Sequence, residues 1–329
     1  MSAVNASVTS SAPGHGRRSF ALPASAAVLV AITGGAVMSG QSAVNGLFGT
    51  ALGSALAAAV ISNLVGGSLF TGTLLASPAV RMGMRRLWHR PMPLWMYCGG
   101  VFGALIVLSA AVATPVIGVA LFMIAIICGN IIGGLCTDAI GLSPAGKMRP
   151  TRARLLGSAL AIAAIAIAQS HAGDAGIAWA LIALAFAAGA GGAVQASFNG
   201  HVNLISGNVL ATGFINFLFG TGVLLIVAAP IAVHANWGDL TYPSAWWMYL
   251  GGVCGAAIVI CATVAVRHIG ALGLALGALT GQLAGAILLD VAISGQAPSW
   301  QVLTGAALAA LAAWLATRPN APRRVRPTP

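Results

Sequence analysis

Eight side-chain amides inside long apolar stretches of the sequence are the residues best placed to do chemistry. A buried amide in an apolar medium is costly unless it is hydrogen-bonded, so each one needs a polar neighbour or a polar ligand. Gln41 and Asn45 are four residues apart, which puts them on one face of a helix. We expect a polar cluster that binds a substrate, with Gln41 and Gln195 lining a cavity. Hydrogen bonds between helices, worth about 0.6 kcal/mol each, are the structural alternative. The candidates are Gln41, Asn45, Asn63, Asn130, Gln195, Asn199, Asn216 and Gln282.

Two carboxylates are the candidates for coupling or gating. Asp138 and Asp290 each come at the end of an apolar run. The dipole of a helix opposes a carboxylate at its C-terminal end, so each residue needs a partner or a function. The functional interpretation is a gate at each mouth of the pathway that responds to a proton or another cation. The structural alternative is an interfacial cap or an ion pair with a neighbouring loop.

The other reactive residue types predict no catalytic residue, no metal site and no cofactor. The chain has no Glu, its six His lie mostly in tails or loops, and its five Cys lack metal-type spacing. The segment 141–147 matches most of a phosphate-binding loop, but Met148 stands where that motif needs Ser or Thr. A membrane enzyme acting on lipid would need a cluster of carboxylates, His or Ser. We therefore predict that the protein is not an enzyme.

The elements that must hold these residues are transmembrane helices. Hydrophobic residues make up 59% of the 329 residues and charged residues 6%, whereas soluble domains carry roughly 25% charged residues. The apolar runs are about twenty residues long, which favours membrane-spanning helices over a barrel. The net charge of +11 lies in short loops and tails. That pattern is typical of membrane topology and does not indicate nucleic-acid binding.

The apolar runs predict an all-α integral membrane protein with ten transmembrane helices, because prolines fall between the runs or at their ends. With the N-terminus in the cytoplasm, all 15 Lys and Arg fall in cytoplasmic segments, and Asp174, Asp239 and Asp290 fall on the other side. Both termini are therefore predicted to be cytoplasmic. The predicted helices cover residues 22–44, 54–77, 94–114, 116–137, 153–170, 176–198, 207–230, 246–266, 269–290 and 300–317.

The second half of the sequence repeats the first. Trp95–Ala104 matches Trp247–Ala256 at an offset of 152 residues, which continues to Asp138 and Asp290. Paired glycines such as Gly99 and Gly103 recur at the same offset, and glycine lets helices approach closely. Gln41-x-x-x-Asn45-Gly46 matches Gln195-x-x-x-Asn199-Gly200, and Asn63-x-x-Gly66 matches Asn216-x-x-x-Gly220 loosely, with a one-residue slip.

Each repeat unit holds five predicted helices, an odd number, so the second unit is predicted to cross the membrane in the opposite sense. Inverted repeats are common in secondary transporters, where the substrate site lies between the repeats near mid-membrane. The predicted organisation is a disordered cytoplasmic tail (1–19), a first repeat (20–172), a second, inverted repeat (173–318) and a basic cytoplasmic tail (319–329).

These motifs resemble the YdcZ-type branch of the drug/metabolite transporter (DMT) superfamily. They are a Gln-x-x-x-Asn pair, the pattern W-x-x-x-G-G-x-x-G-A, and G-Q/N-x₇-D. The resemblance is carried by Gly35–Gly49, Trp95–Ala104, Gly129–Asp138 and their counterparts in the second half. It implies the fused ten-helix form of a DMT/EamA-like fold in the bacterial inner membrane, with secondary transport by alternating access. Related small multidrug transporters use a membrane-embedded Glu, which this chain lacks.

We therefore expect a secondary transporter that exports a small metabolite or drug-like compound. An amide-rich middle without carboxylates suggests a neutral or weakly polar substrate, with basic or aromatic compounds left open. Expected partners are the lipid bilayer, the substrate and a coupling proton or cation. The sequence leaves open whether two copies form a homodimer. A non-transporting membrane receptor or assembly subunit is the alternative, favoured by a closed core in which the amides pair fully with one another. A solvent-accessible cavity lined by the amides would favour transport.

Overall fold

The computed structural model describes residues 23–90, 92–144, 146–169, 175–234 and 240–317, and every regular element in these ranges is helical. Short 3-10 helices, Leu94–Cys98 and Trp246–Leu250, lead into α4 and α9. The predicted terminal tails, Asp174 and Asp239 lie outside the described residues. The helices are α1 Ala24–Leu52, α2 Ala55–Ala76, α3 Pro78–His89, α4 Gly99–Ile117, α5 Val119–Ile140, α6 Arg152–Gln169, α7 Ala175–Ser206, α8 Val209–His234, α9 Gly251–Ser294 and α10 Trp300–Ala316.

Nine segments of the described chain are long and apolar enough to cross a membrane. They are α1, α2, α4 with its leading 3-10 turn, α5, α6, most of α7, most of α8, the first part of α9 with its leading 3-10 turn, and the second part of α9. The two segments in α9 are separated by a break at Gly270. Helix α10 is apolar but has only 17 residues. The prediction of an all-helical, multi-pass membrane protein is confirmed.

The basic segment 78–93, which connects two predicted membrane helices and in which no element was predicted, contains the short amphipathic helix α3. Pro78 occupies the first turn, where its missing N–H costs nothing, and Val80 and Leu87 are buried. The helix has 12 residues and no long apolar run, so a search for membrane-spanning segments in the sequence does not find it.

Two arginines of α3 bind the C-terminal ends of other helices. Arg81 donates to the carbonyl of Leu75 near the end of α2 (2.5 Å), and Arg86 donates to the carbonyl of Ser206, the last residue of α7 (3.3 Å). Cations stabilise the negative end of a helix dipole. Helix α3 therefore ties α2 in the first half of the chain to α7 in the second.

Helices α1 and α7 both continue eight residues beyond their predicted ends, to Leu52 and Ser206. The extra turns hold an amide followed by a glycine, Asn45-Gly46 in α1 and Asn199-Gly200 in α7. Each extension packs on a neighbouring helix, because Asn45 faces Gly251 of α9 and Asn199 faces Gly99 of α4.

Helix α1 packs along the part of α9 that follows Gly270. Ala31 of α1 faces Gly277 of α9. Ala36, five residues later, faces Gly285, so the two helices run parallel. A side chain at Gly281, between these glycines, would overlap the backbone carbonyl of Ile32. Glycine at these positions therefore allows backbone-to-backbone packing.

Helix α7 packs in the same way along α5. Phe186 faces Gly129, and Ala190, four residues later, faces Gly133, so these helices are also parallel. Gly129 and Gly133 precede Gly281 and Gly285 by 152 residues, the offset of the sequence repeat. The contact of α7 with α5 is therefore equivalent, in the repeat, to the contact of α1 with the second part of α9.

The break between α4 and α5 is also repeated. Gly118 separates these helices with φ +78° and ψ 163°, and Gly270 interrupts α9 with φ +69° and ψ 177°. The two glycines are 152 residues apart. An L-residue rarely adopts a positive φ with an extended ψ, so glycine is required at both joints.

The centre of the core is α5, whose residues Val119–Cys128 are all buried. It lies among α6, α7, α9 and α10, while α6 packs against α10 and α2 against α8. Most of these contacts join an element of one half to an element of the other. Neither half therefore has a core of its own.

Candidate functional site

One group of polar residues lies between α4, α7 and α8. Gln195 of α7 donates a hydrogen bond from Nε2 to Oδ1 of Asn216 on α8, at 3.0 Å. Gln195 and Asn199, also of α7, face the glycines of α4. A Cβ on Gly103 would lie 2.7 Å from Gln195 Nε2, and a Cβ on Gly99 would lie 2.9 Å from Asn199 Oδ1. We call Gln195, Asn199 and Asn216 the second-half amide cluster.

A matching group lies between α1, α2 and α9. Gln41 of α1 donates from Nε2 to the carbonyl oxygen of Gly251 at 2.9 Å and faces Gly255. A Cβ on Gly251 would overlap Asn45 Oδ1 and lie 2.6 Å from Ser62 Oγ. Gly251 and Gly255 follow the two α4 glycines by 152 residues. We call Gln41, Asn45 and Ser62 the first-half amide cluster.

The first-half amide cluster is less fully hydrogen-bonded than its counterpart. Asn45 is 1% exposed, and within the described chain neither Nδ2 nor Oδ1 has a hydrogen-bond partner. The hydroxyl of Ser62 is also buried and without a partner there. Buried polar groups left in this state cost about 1–3 kcal/mol each.

The counterpart of Asn216 is Ser62, so the loose match of Asn63 to Asn216 was wrong. A Cβ on Gly100 would overlap the Asn216 carbonyl, and one on Gly252 would overlap the Ser62 carbonyl. From Ser62 to Asn216 is 154 residues, the same offset that relates Gln41 to Gln195. This constant offset is the signal that could have identified Ser62.

Asn63 belongs to neither cluster. Its Nδ2 donates to the carbonyl of Ala59, one turn earlier in α2, at 3.1 Å. The side chain is buried, and its Oδ1 faces Gly220 of α8. Its amide thus satisfies its own helix at the contact between α2 and α8.

A cavity of about 360 Å³ lies among α1, α5, α6, α9 and α10, which come from both halves. Two of the predicted amides, Asn130 and Gln282, line it, and they are 152 residues apart. Gln41 and Gln195 do not line this cavity. Most of its wall is apolar, formed by residues such as Met38, Ile126, Ile127, Ile131, Ala278 and Leu279.

The cavity amides are only partly engaged by the protein. Gln282 Nε2 lies 3.2 Å from Met38 Sδ, a weak acceptor, and its backbone carbonyl accepts from Ser39 Oγ at 2.6 Å. Asn130 Nδ2 would lie 3.3 Å from a Cβ on Gly192 of α7. Both side chains thus line the cavity, and Asn130 also approaches α7 behind it.

Arg154 is the charged residue that the sequence analysis did not place in the site. It stands in the first turn of α6, lines the cavity, and donates from Nη2 to Asp138 Oδ2 at 2.5 Å. Both side chains are 15% exposed. Because the arginine stands at the start of a predicted helix beside other basic residues, the sequence offered no sign that its side chain turns into the cavity.

Asp290 makes a different contact from Asp138. Its Oδ1 accepts from the N–H of Val119 at 2.6 Å and its Oδ2 accepts from the N–H of Ala120 at 2.8 Å. These are the first two residues of α5, directly after Gly118. The carboxylate therefore satisfies two free N–H groups and lies at the positive end of a helix dipole.

Comparison with known proteins agrees with the two-part structure. A family model described as "Putative inner membrane exporter, YdcZ" matches residues 26–167 and again residues 180–315. The two matches coincide with the two halves of the repeat. No curated protein matches the chain.

Proposed function

Since this chain belongs to the YdcZ family of the DMT transporters and is a membrane transporter, we propose that it exports a small metabolite or drug-like compound by alternating access. The observation that carries this proposal is the cavity, whose wall combines helices of both halves with two amides and a largely apolar surface. Ligand pockets of this kind have volumes of roughly 300–1,000 Å³. Asn130 and Gln282 are the residues that would bind the substrate.

Counting α10 as a span gives ten transmembrane helices, arranged as two inverted repeats of five. Helix directions support this arrangement. Helix α1 is parallel to the second part of α9, and α7 is parallel to α5. Asp290, near the end of α9, contacts the start of α5, so α9 and α5 run in opposite directions there. The first long helices of the two halves, α1 and α7, therefore run in opposite directions.

The position of the cavity predicts the side of the membrane to which it opens in this structure. Its polar end is at Arg154, beside the basic segment that holds Lys147, Arg149 and Arg152. Basic connections lie preferentially in the cytoplasm. The cavity would then load from the cytoplasm, with both chain termini on that side of the inner membrane.

We assign the two amide clusters to the contact between halves and not to the substrate. Each cluster places amides of one half against paired glycines of the other. Such contacts give close packing with few interlocking side chains, so they allow one half to rock against the other. Asp138 and Asp290, which hold the two ends of α5, are the candidates for coupling or gating.

A counterflow assay in proteoliposomes tests the proposal. Vesicles loaded with one unlabelled compound from a metabolite panel would be expected to take up the labelled compound, with and without an imposed pH gradient. Gly134 lines the cavity and has open space around it, so Gly134→Trp should fill the cavity and abolish exchange.

The matched control is Gly72→Trp. Gly72 is exposed on α2, also with open space around it, and this variant should exchange substrate as the unaltered protein does. Uptake no greater than in empty vesicles for every compound would defeat the transport proposal. Unchanged pH-driven uptake in Asp138→Asn and Asp290→Asn would exclude coupling through these carboxylates.

A receptor or assembly subunit that does not transport is the second candidate function. Fully paired amides around a closed core would favour it. The unpaired atoms of Asn45 and the open cavity favour transport instead.

A further inference from the structure

The cavity wall has one charged side chain, Arg154, among the described residues that form it. We propose that the substrate is a small organic acid, with its carboxylate on Arg154 and an apolar body along the rest of the wall. This inference rests on the proposed function, because it assigns a substrate class to the same cavity. It replaces the neutral substrate that the sequence alone suggested.

The guanidinium of Arg154 has unused hydrogen-bonding capacity. An arginine side chain carries five N–H donors in a planar fork. Within the described chain, one of them binds Asp138 Oδ2. None of the remaining donors is among the buried polar atoms without a partner in the described chain, so a ligand in the cavity can reach them. A ligand carboxylate supplies two acceptor oxygens in the geometry that the fork matches.

The charge around the cavity mouth also favours an anion. Asp138 cancels the charge of Arg154, but Lys147, Arg149 and Arg152 are exposed in the adjoining segment. No other carboxylate of the described chain forms an ion pair in this structure. The net positive field attracts anions towards the mouth and repels cations.

The remainder of the cavity defines the body of the ligand. Aliphatic side chains from α1, α5 and α9 cover most of the wall. Asn130 and Gln282 can each donate or accept one hydrogen bond to a polar substituent. A compact apolar or aromatic body that ends in one carboxylate satisfies every part of this surface.

Ligand-dependent thermal stability of the purified protein tests the inference without requiring transport. The probes are hexanoate, phenylacetate and indole-3-acetate, each compared with its primary amide and with the amine of matching size. We expect at least one acid to raise Tm in a saturable way, and its amide and amine to bind at least ten-fold more weakly.

Arg154→Gln should weaken binding of that acid by roughly ten- to hundred-fold, which is the range expected for charge-assisted hydrogen bonds. Since this change leaves Asp138 without its partner, Asp138→Asn/Arg154→Gln serves as a second variant that restores a neutral pair. It should fold and should also fail to select the acid. Arg85→Gln, an exposed arginine on α3 that does not line the cavity, is the control and should bind as the unaltered protein does.

Three results would overturn the inference. They are no saturable response to any acid, equal responses to an acid and its amide, or unchanged acid binding in the Arg154 variants. Each is separate from failure of the proposed function. Counterflow of amides or amines with no preference for acids would support the transport proposal and contradict the proposal of an acidic substrate. Selective acid binding without any flux would reject transport and sustain the acid site.

Discussion

At the scale of single residues, the function of the paired glycines depends on what lies opposite them. Gly252 and Gly100 occupy equivalent positions in α9 and α4 and approach the backbones of α2 and α8. In both cases a methyl group would overlap a backbone carbonyl, that of Ser62 or that of Asn216. A backbone carbonyl cannot turn away as a flexible side chain can, so each helix would have to shift as a whole.

We expect Gly252→Ala and Gly100→Ala each to destabilise the protein by about 1–3 kcal/mol, the usual effect of overpacking, or to prevent folding. Tm of the purified variants is the measurement. Gly72→Ala is the control: its new methyl group meets open space, so it should leave Tm unchanged or raise it slightly. Equal Tm values for all three variants would show that the close approach is not needed.

The hydrogen bond between Gln195 and Asn216 gives a second prediction at this scale. A double-mutant cycle with Gln195→Leu and Asn216→Leu isolates the pair from the packing changes of each substitution. We expect a coupling energy of about 0.6 kcal/mol, the average for such contacts in membrane proteins. Reversible unfolding in mixed micelles provides the free energies. A coupling energy of zero would mean that the two amides serve different partners.

At the scale of elements, α5 is held at both ends by carboxylates. Asp290 binds the first two N–H groups of α5, and Asp138, near its last turn, binds Arg154 of α6. The sequence placed both residues at helix ends but gave no sign that one binds the beginning of a different helix.

Replacing Asp290 with Ala removes both bonds to α5, and we expect a loss of about 1–2 kcal/mol, as for other N-terminal caps. Asp290→Asn keeps one acceptor oxygen and should lose less. Tm of the two variants at neutral pH is the measurement. If the two substitutions cost the same, or neither has an effect, the cap does not stabilise α5.

Most of the helices and the repeat could be predicted from the sequence. Apolar run length and the proline positions gave the helices, and the constant offset gave the repeat, since both follow from short-range chemistry. The 12 residues of α3 could not be predicted, because its stability comes from packing Val80 and Leu87 on other helices and from the helix ends that its arginines bind.

Only part of the candidate site could be predicted from the sequence, because the site also depends on packing between distant helices. The cost of burial singled out eight amides, and the structure places two of them, Asn130 and Gln282, in one cavity. The grouping of the other amides depends on which helices cross, which one sequence does not specify. The direction of the Arg154 side chain likewise depends on where Asp138 lies.

At the scale of the whole molecule, the two halves share most of their helix contacts, so the direction in which one half crosses the membrane determines the direction of the other. Each amide cluster combines helices from both halves, and α6 packs against α10. If the halves are inverted, the connections 78–93 and 231–245, which are equivalent in the repeat, lie on opposite faces of the membrane.

Cysteine labelling tests this topology. In a variant whose five native cysteines are replaced, Arg85→Cys and Thr241→Cys introduce single thiols at exposed positions in the two connections. A membrane-impermeant maleimide added to intact cells should label the Thr241→Cys variant and leave the Arg85→Cys variant unlabelled. Both variants should be labelled after the cells are opened. Labelling of both, or of neither, in intact cells would contradict the inverted arrangement.

Helix α3 breaks the near-equality of the halves. Its arginines fasten α2 to α7 on one face, and the equivalent segment 231–245 contains no Lys or Arg that could do the same on the other. If the proposed alternating access holds, moving from one access state to the other breaks these contacts on one face of the membrane and forms no equivalent contacts on the other. The empty carrier would then have a resting state fixed by its own architecture, before any gradient or cargo acts on it.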